Sequence, residues 1–154
     1  MIKKLLKVFL VFIFPLTIGA QNENDDKLML SGVVSDYFSE DAMAGVSIKL
    51  TINGQYANNV VSDGKGKYEI FLDFEKEYMV LYEKAGFVSK KIIVNTKEVP
   101  PDNRTKLADL YVEMTLFKSE KDLEVGFLDN PIGKAQYMSQ KNTIDWNMGY
   151  TAPI

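Results

Sequence analysis

Between Leu28 and Phe117, apolar and polar residues alternate along most of the chain. Val46, Ile48, Leu50 and Ile52 interleave with Ser47, Lys49, Thr51 and Asn53, the pattern of a strand with one buried face. Tyr68, Ile70 and Leu72 alternate with Lys67, Glu69 and, less cleanly, Phe71. Leu110, Val112, Met114 and Leu116 alternate with Tyr111, Glu113, Thr115 and Phe117. Segments 28–36, 57–62, 78–84 and 87–95 are strand-like with weaker alternation. No segment sustains the helical apolar period, so helix is scarce. The pattern predicts about seven short strands, the scale of a sandwich. Val46, Ile48, Leu50, Tyr68, Ile70, Leu72, Val80, Tyr82, Leu110, Val112 and Met114 form its inward-facing set.

The connections carry turn chemistry. Asn53-Gly54 supplies the positive φ of a tight hairpin, and Asp63-Gly64 with Gly66 does the same ahead of Tyr68. Pro100-Pro101-Asp102-Asn103 punctuates a longer loop, because proline offers no ladder donor. Beyond Phe117 the alternation stops. Residues 118–154 have thin, irregular apolar content and are broken by Pro131, Gly133, Gly149 and Pro153. They read as an extended tail dotted with Phe127, Tyr137, Trp146 and Tyr150.

The two ends change the picture. Residues 1–20 read as a secretory signal peptide: a basic start through Lys7, an apolar run from Val8 to Ile18, and Ile18-Gly19-Ala20 before the cut. The run is too short to span a bilayer and Pro15 interrupts it. Residues 21–27 are a polar, acidic, disordered leader. Cleavage removes Lys3, Lys4 and Lys7 and takes the net charge from −3 to about −6. No basic face is evident, which argues against nucleic acid and anionic membrane surfaces as partners. The reading is an exported protein, periplasmic or extracellular, with no membrane span after cleavage.

The chain contains neither cysteine nor histidine. Disulfides cannot staple it, no cysteine can be lipidated, and the core must hold the fold alone. Without imidazole there is no His-ligated metal and no Ser-His-Asp or Cys-His dyad. Most acid–base chemistry near neutral pH is thereby lost, so the chain is read as having no catalytic, metal or cofactor residues.

Gly32-Val33-Val34-Ser35-Asp36, Ala44-Gly45-Val46, Ser62-Asp63 through Gly66 to Tyr68, Tyr78 and Gly86-Phe87 occur in a characteristic order. In that order they resemble the carboxypeptidase-regulatory-like domain, a transthyretin-like sandwich, over residues 28–117. The resemblance implies an all-β, seven-stranded antiparallel sandwich serving as an accessory module without its own active site. Met43-Ala44 and the long Thr96–Ala108 loop depart from the pattern. The tail is similar to small exported bacterial proteins in which Pro-Ile-Gly-Lys precedes an Asp-Trp…Tyr-Thr segment, here Pro131–Lys134 and Asp145–Thr151.

Several candidate sites reduce to ordinary structure. Asp63-Gly64-Lys65-Gly66-Lys67 places lysines where a calcium loop needs oxygens, so it is a turn. The acidic groups Glu23/Asp25/Asp26 and Asp73/Glu75/Glu77 read as solvated charge. Asn103-Arg104-Thr105 fits a glycosylation acceptor and marks an exposed loop. Functional weight falls on Phe127, Tyr137, Trp146 and Tyr150, aromatics in a segment too polar to build its own core. The expectation is a non-catalytic envelope module binding a protein partner through these rings. The alternative is a glycan-binding module using Phe71, Tyr111 and Phe117 on the off-core phase of their strands.

Overall fold

The computed structural model describes residues 26–150. The expected signal peptide and all but Asp26 and Lys27 of the acidic leader lie outside the described residues. Among the described residues the alternating segments form strands: β1 (Lys27–Asp36), β2 (Ser47–Ile52), β3 (Gln55–Val61), β4 (Lys67–Asp73), β5 (Glu77–Glu83), β6 (Lys90–Asn95) and β7 (Leu110–Leu116). They occupy the segments where alternation predicts them. Two further strands follow, β8 (Lys134–Met138) and β9 (Thr143–Trp146). Short 3-10 turns cover Pro101–Lys106 and Gly126–Asp129.

Two sheets face each other, one of three strands ordered β4-β1-β7 and one of six ordered β3-β2-β5-β6-β8-β9. Pairing is antiparallel except at β1–β7 and β6–β8. Neither parallel pair is consecutive in the chain: five strands lie between β1 and β7, and β7 lies between β6 and β8. A tight hairpin forces antiparallel pairing, whereas a crossover of a dozen residues does not. The Asn53-Gly54 turn has φ 51° and 76°, as a two-residue hairpin between twisted strands requires.

Every residue of the predicted inward set is buried. Leu28, Leu30, Val34, Ile92, Val94 and Leu116 join it. No disulfide contributes, so this apolar burial is the main stabilising term.

The irregular tail expected over 118–154 is corrected by β8 and β9. Ile93, Val94 and Asn95 pair with Lys134, Ala135 and Gln136, and a hairpin brings Ala135 opposite Trp146. Short alternation is present in this stretch: Ala135, Tyr137 and Ile144 are buried between half-buried neighbours. The edge of β6 supplies the missing partners, so a segment too polar to order itself is ordered by the domain.

Candidate functional site

The signature turn from Ser62 to Tyr68 is a structural clip. Buried Ser62 donates from Oγ to the Met43 carbonyl (2.7 Å) and accepts the Val46 amide (2.9 Å), tying the start of β2 to the end of β3. Asp63 Oδ1 accepts the amides of Lys65 and Lys67 at 2.8 and 2.9 Å. Those amides, Lys67 foremost, hold its carboxyl below the usual range. The turn is thus closed on itself through its acid, as turn chemistry predicts.

Tyr68 leads from this turn into the core. Its hydroxyl donates to the Val112 carbonyl (3.2 Å) and lies 2.8 Å from the hydroxyl of Tyr82. Gly32 makes the space: a Cβ there would fall 2.9 Å from Tyr68 Oη and collide with the Val112 carbonyl. The Gly-x-Val opening of β1 is therefore a packing requirement.

The acids Asp73, Glu75 and Glu77 take separate cations rather than converging. Asp73 pairs with Lys76 (2.5 Å) and Lys27 (3.5 Å), Glu75 with Arg104 (2.5 Å), and Glu77 with Lys134 (3.2 Å). Among the described residues no acidic cluster has the geometry to hold a metal ion. Asn103 is half-buried rather than freely exposed, and its amide donates to Tyr137 Oη at 3.0 Å.

An exposed aromatic cluster lies where β1 and β7 end. Asp36 Oδ1 accepts the amides of Phe38 (2.8 Å) and Ser39 (3.1 Å), and these contacts, Ser39 first, depress its pKa. The Asp36 amide donates to Asp41, Glu40 donates back to the Asp36 carbonyl, and Glu40 sits at φ 60°. The Tyr37 amide anchors the turn to the Leu116 carbonyl at 2.8 Å. This turn projects Tyr37 and Phe38 outward, 59% and 80% exposed. The rings meet edge to face with centroids 5.2 Å apart, and Tyr37 lies 6.5 Å from Phe117.

Phe117, Leu123, Lys118 and Glu120 complete a cleft of about 270 Å³ around these rings. The Val88 amide donates to the Phe117 carbonyl and the Ser119 amide to Gly86, fixing this wall to the six-stranded sheet. Half-buried Lys90 places Nζ 5.3 Å from the Phe117 ring centre and 6.0 Å from that of Tyr37. Burial pushes the pKa of Lys90 down. An apolar surface of this kind suits molecular contact, since the backbone that carries the exposed rings is already fixed by hydrogen bonds.

The four tail aromatics are not presented as one exposed set. Tyr137 is buried, with its hydroxyl between Asn103 and Asn142, each at 3.0 Å. Trp146 is half-buried and packs on the core, its ring over Gly133, where a Cβ would approach to 2.9 Å. Tyr150 is half-buried and donates to the Pro131 carbonyl at 3.1 Å. Phe127 is the most exposed of the four, at 41%. The Pro-Ile-Gly-Lys and Asp-Trp segments thus touch each other.

Tyr37 and Phe38 carry no signal in the alternation, because they follow β1 as a simple continuation of polar and apolar residues. An aromatic pair directly after an Asp in turn-forming surroundings is the cue that was available. Of the glycan set, Tyr111 is 55% exposed, Phe71 and Phe117 are half-buried, and β1 separates Phe71 from Tyr111.

No protein-family model matches the chain, and no curated protein matches it. Solved structures similar to it include 3-chlorocatechol 1,2-dioxygenase from Rhodococcus opacus 1CP, at 12% identity and TM-score 0.44 over 61% of this chain and 60% of that one. The major pilin subunit of Bacillus cereus is similar at 14% identity and TM-score 0.44, over 60% and 30%. Klebsiella pneumoniae 5-hydroxyisourate hydrolase is similar at 13% identity and TM-score 0.43, over 60% and 92%. The chain spans less than two thirds of the dioxygenase. At these scores the likenesses carry no inference about family or activity.

Proposed function

We propose that this chain is a non-catalytic, exported accessory module of the carboxypeptidase-regulatory-like kind. It binds another protein through the cleft formed by Tyr37, Phe38, Phe117 and Leu123. The observation that carries this reading is the exposure of Phe38 at 80% on a turn closed by Asp36. A ring left in water by its own fold, on a backbone fixed by hydrogen bonds, suits the role of a binding anchor. The absence of histidine and cysteine from the sequence agrees with a role in contact rather than in turnover. The tail contributes by completing the six-stranded sheet; of its aromatic set Phe127 is the most exposed, while Trp146 and Tyr150 keep part of their surface open.

The test compares envelope proteins recovered on the full-length chain with those recovered on a Tyr37→Ser, Phe38→Ser double variant. A discrete set bound by the first and missing from the second is expected, with unchanged thermal unfolding. Identical recoveries would remove the cleft from the function. The glycan alternative rests on Tyr111 beside Ser31, Lys67 and Glu69 in a shallow depression. A glycan array binding the native chain and not Tyr111→Ala would favour it.

A further inference from the structure

Lys90 sits where a cation is poorly served. It occupies a position of β6 in phase with buried Ile92 and Val94, and its Nζ reaches across to Thr115 of β7. Nζ reaches only the Thr115 hydroxyl, at 3.5 Å, and the faces of Phe117 and Tyr37. It joins none of the six ion pairs among the described residues. Ring faces attract a cation weakly, and a partly desolvated ammonium gains far more from a carboxylate. The same Lys90 also borders a second groove along the free edge of β7, lined by Ile92, Glu113, Met114, Ile132 and Trp146, and it forms no ion pair with Glu113.

We propose that the protein partner presents a carboxylate side chain to Lys90 beside an apolar side chain seated against Phe38 and Phe117. This rests on the docking reading above and specifies the chemistry of what docks. Charge complementarity selects the acid: Lys90 and Lys118 border the cleft against a single carboxylate, Glu120. A segment of protein suits the site better than an anionic bilayer. Lys90 is recessed behind rings, and the chain carries a net charge of −3, which repels such a surface.

Fluorescent nine-residue peptides, each holding Phe or Leu with Glu or its isostere Gln two positions away, test this on the full-length chain. The acidic peptides are expected to bind about tenfold or more tightly than the amides, and added salt should narrow the gap. Lys90→Met, which keeps the stem, should erase the gap without loss of folding. Lys90→Glu should favour peptides with Lys in place of Glu. Phe38→Ser should weaken acid and amide peptides together.

Equal affinity for acid and amide peptides, with both lost in Phe38→Ser, would overturn the acid preference while leaving the docking cleft standing. Absence of any peptide binding would count against the proposal as well. If Lys90→Met changed only stability or self-association, the lysine would be a guard for the β7 edge. Saturable, Phe38-dependent binding to phosphatidylethanolamine–phosphatidylglycerol vesicles, without peptide discrimination, would instead assign the cleft to a membrane surface.

Discussion

The hydroxyl of Tyr82 donates to that of Tyr68 across 2.8 Å in the centre of the sandwich. The direction follows from stoichiometry, because the one proton of Tyr68 is already directed at the Val112 carbonyl. Three strands, β4, β5 and β7, thereby share one polar chain inside an apolar core. Such a network is stabilising only when every member is satisfied.

Alkaline unfolding should expose this pair. Burial pushes the Tyr68 pKa up from 10.0 to about 12. An unfolded tyrosine ionises first, so this contribution is complete below pH 10 and is lost as pH rises toward 12. At its fullest the loss is on the order of 2–3 kcal/mol. Denaturant unfolding followed between pH 8 and 12 should show stability falling more steeply for the native chain than for Tyr68→Phe.

Gly32→Ala should be among the most damaging single changes in β1. The added methyl meets the Val112 backbone and Tyr68 Oη, neither of which can yield without breaking the β1–β7 register or the tyrosine pair. A loss on the order of 3 kcal/mol is expected by thermal or urea unfolding. A neutral result would show that the close approach is not maintained in solution.

Thr96 is fully buried and staples the β4–β5 turn to the end of β6. Its Oγ1 donates toward the Asp73 and Lys76 carbonyls, both at 3.0 Å, and accepts the Lys76 amide at 3.2 Å. Thr96→Val keeps the shape but orphans the Lys76 amide, while the carbonyls of Lys76 and Asp73 keep the Thr96 amide and the Tyr78 hydroxyl as donors, so a cost of about 1–3 kcal/mol is expected. Hydrogen exchange should localise the effect to the Lys76 amide.

Removing the C-terminal hairpin tests whether it belongs to the fold. Truncation before Pro131 exposes the β6 edge and the surface under Ala135, Tyr137, Ile144 and Trp146. Stability should fall by several kcal/mol. In the intact chain Trp146 fluorescence should be blue-shifted and partly shielded from iodide. Gly133→Val should red-shift it, because a side chain there displaces the indole.

Acid should loosen the Asp36 turn. The amides of Ser39 and Phe38 hold the Asp36 carboxyl below 3.8, so its contribution persists above that pH and disappears as pH falls through the depressed value. The Phe38 and Ser39 amide resonances should titrate together with a midpoint under 3.8. In Asp36→Asn that transition should vanish with the turn still closed, because the amide oxygen accepts the same N–H groups; Asp36→Ala, which removes the acceptor, should weaken peptide binding at Phe38.

The seven strands from β1 to β7, the buried faces of β2, β4 and β7, and the Asn53-Gly54 hairpin were legible from local pattern. Their physics is local too: a period of two and a positive φ are written residue by residue. The clip at Ser62 was visible as a motif, and its contacts with Met43 and Val46 supply the reason.

What the sequence by itself determined is a disulfide-free, mostly β chain with a predictable set of inward side chains and no imidazole chemistry. Tertiary structure alone decided that residues 134–146 become strands, because their partner is the exposed edge of β6, far away in sequence. It also left Trp146 half-buried and Phe38 exposed. Trp146 found a glycine-lined surface on its own domain, whereas Phe38 was turned outward by hydrogen bonds to Asp36. Whether an aromatic ring is buried depends on surfaces brought together by folding, and alternation along a single strand cannot encode that.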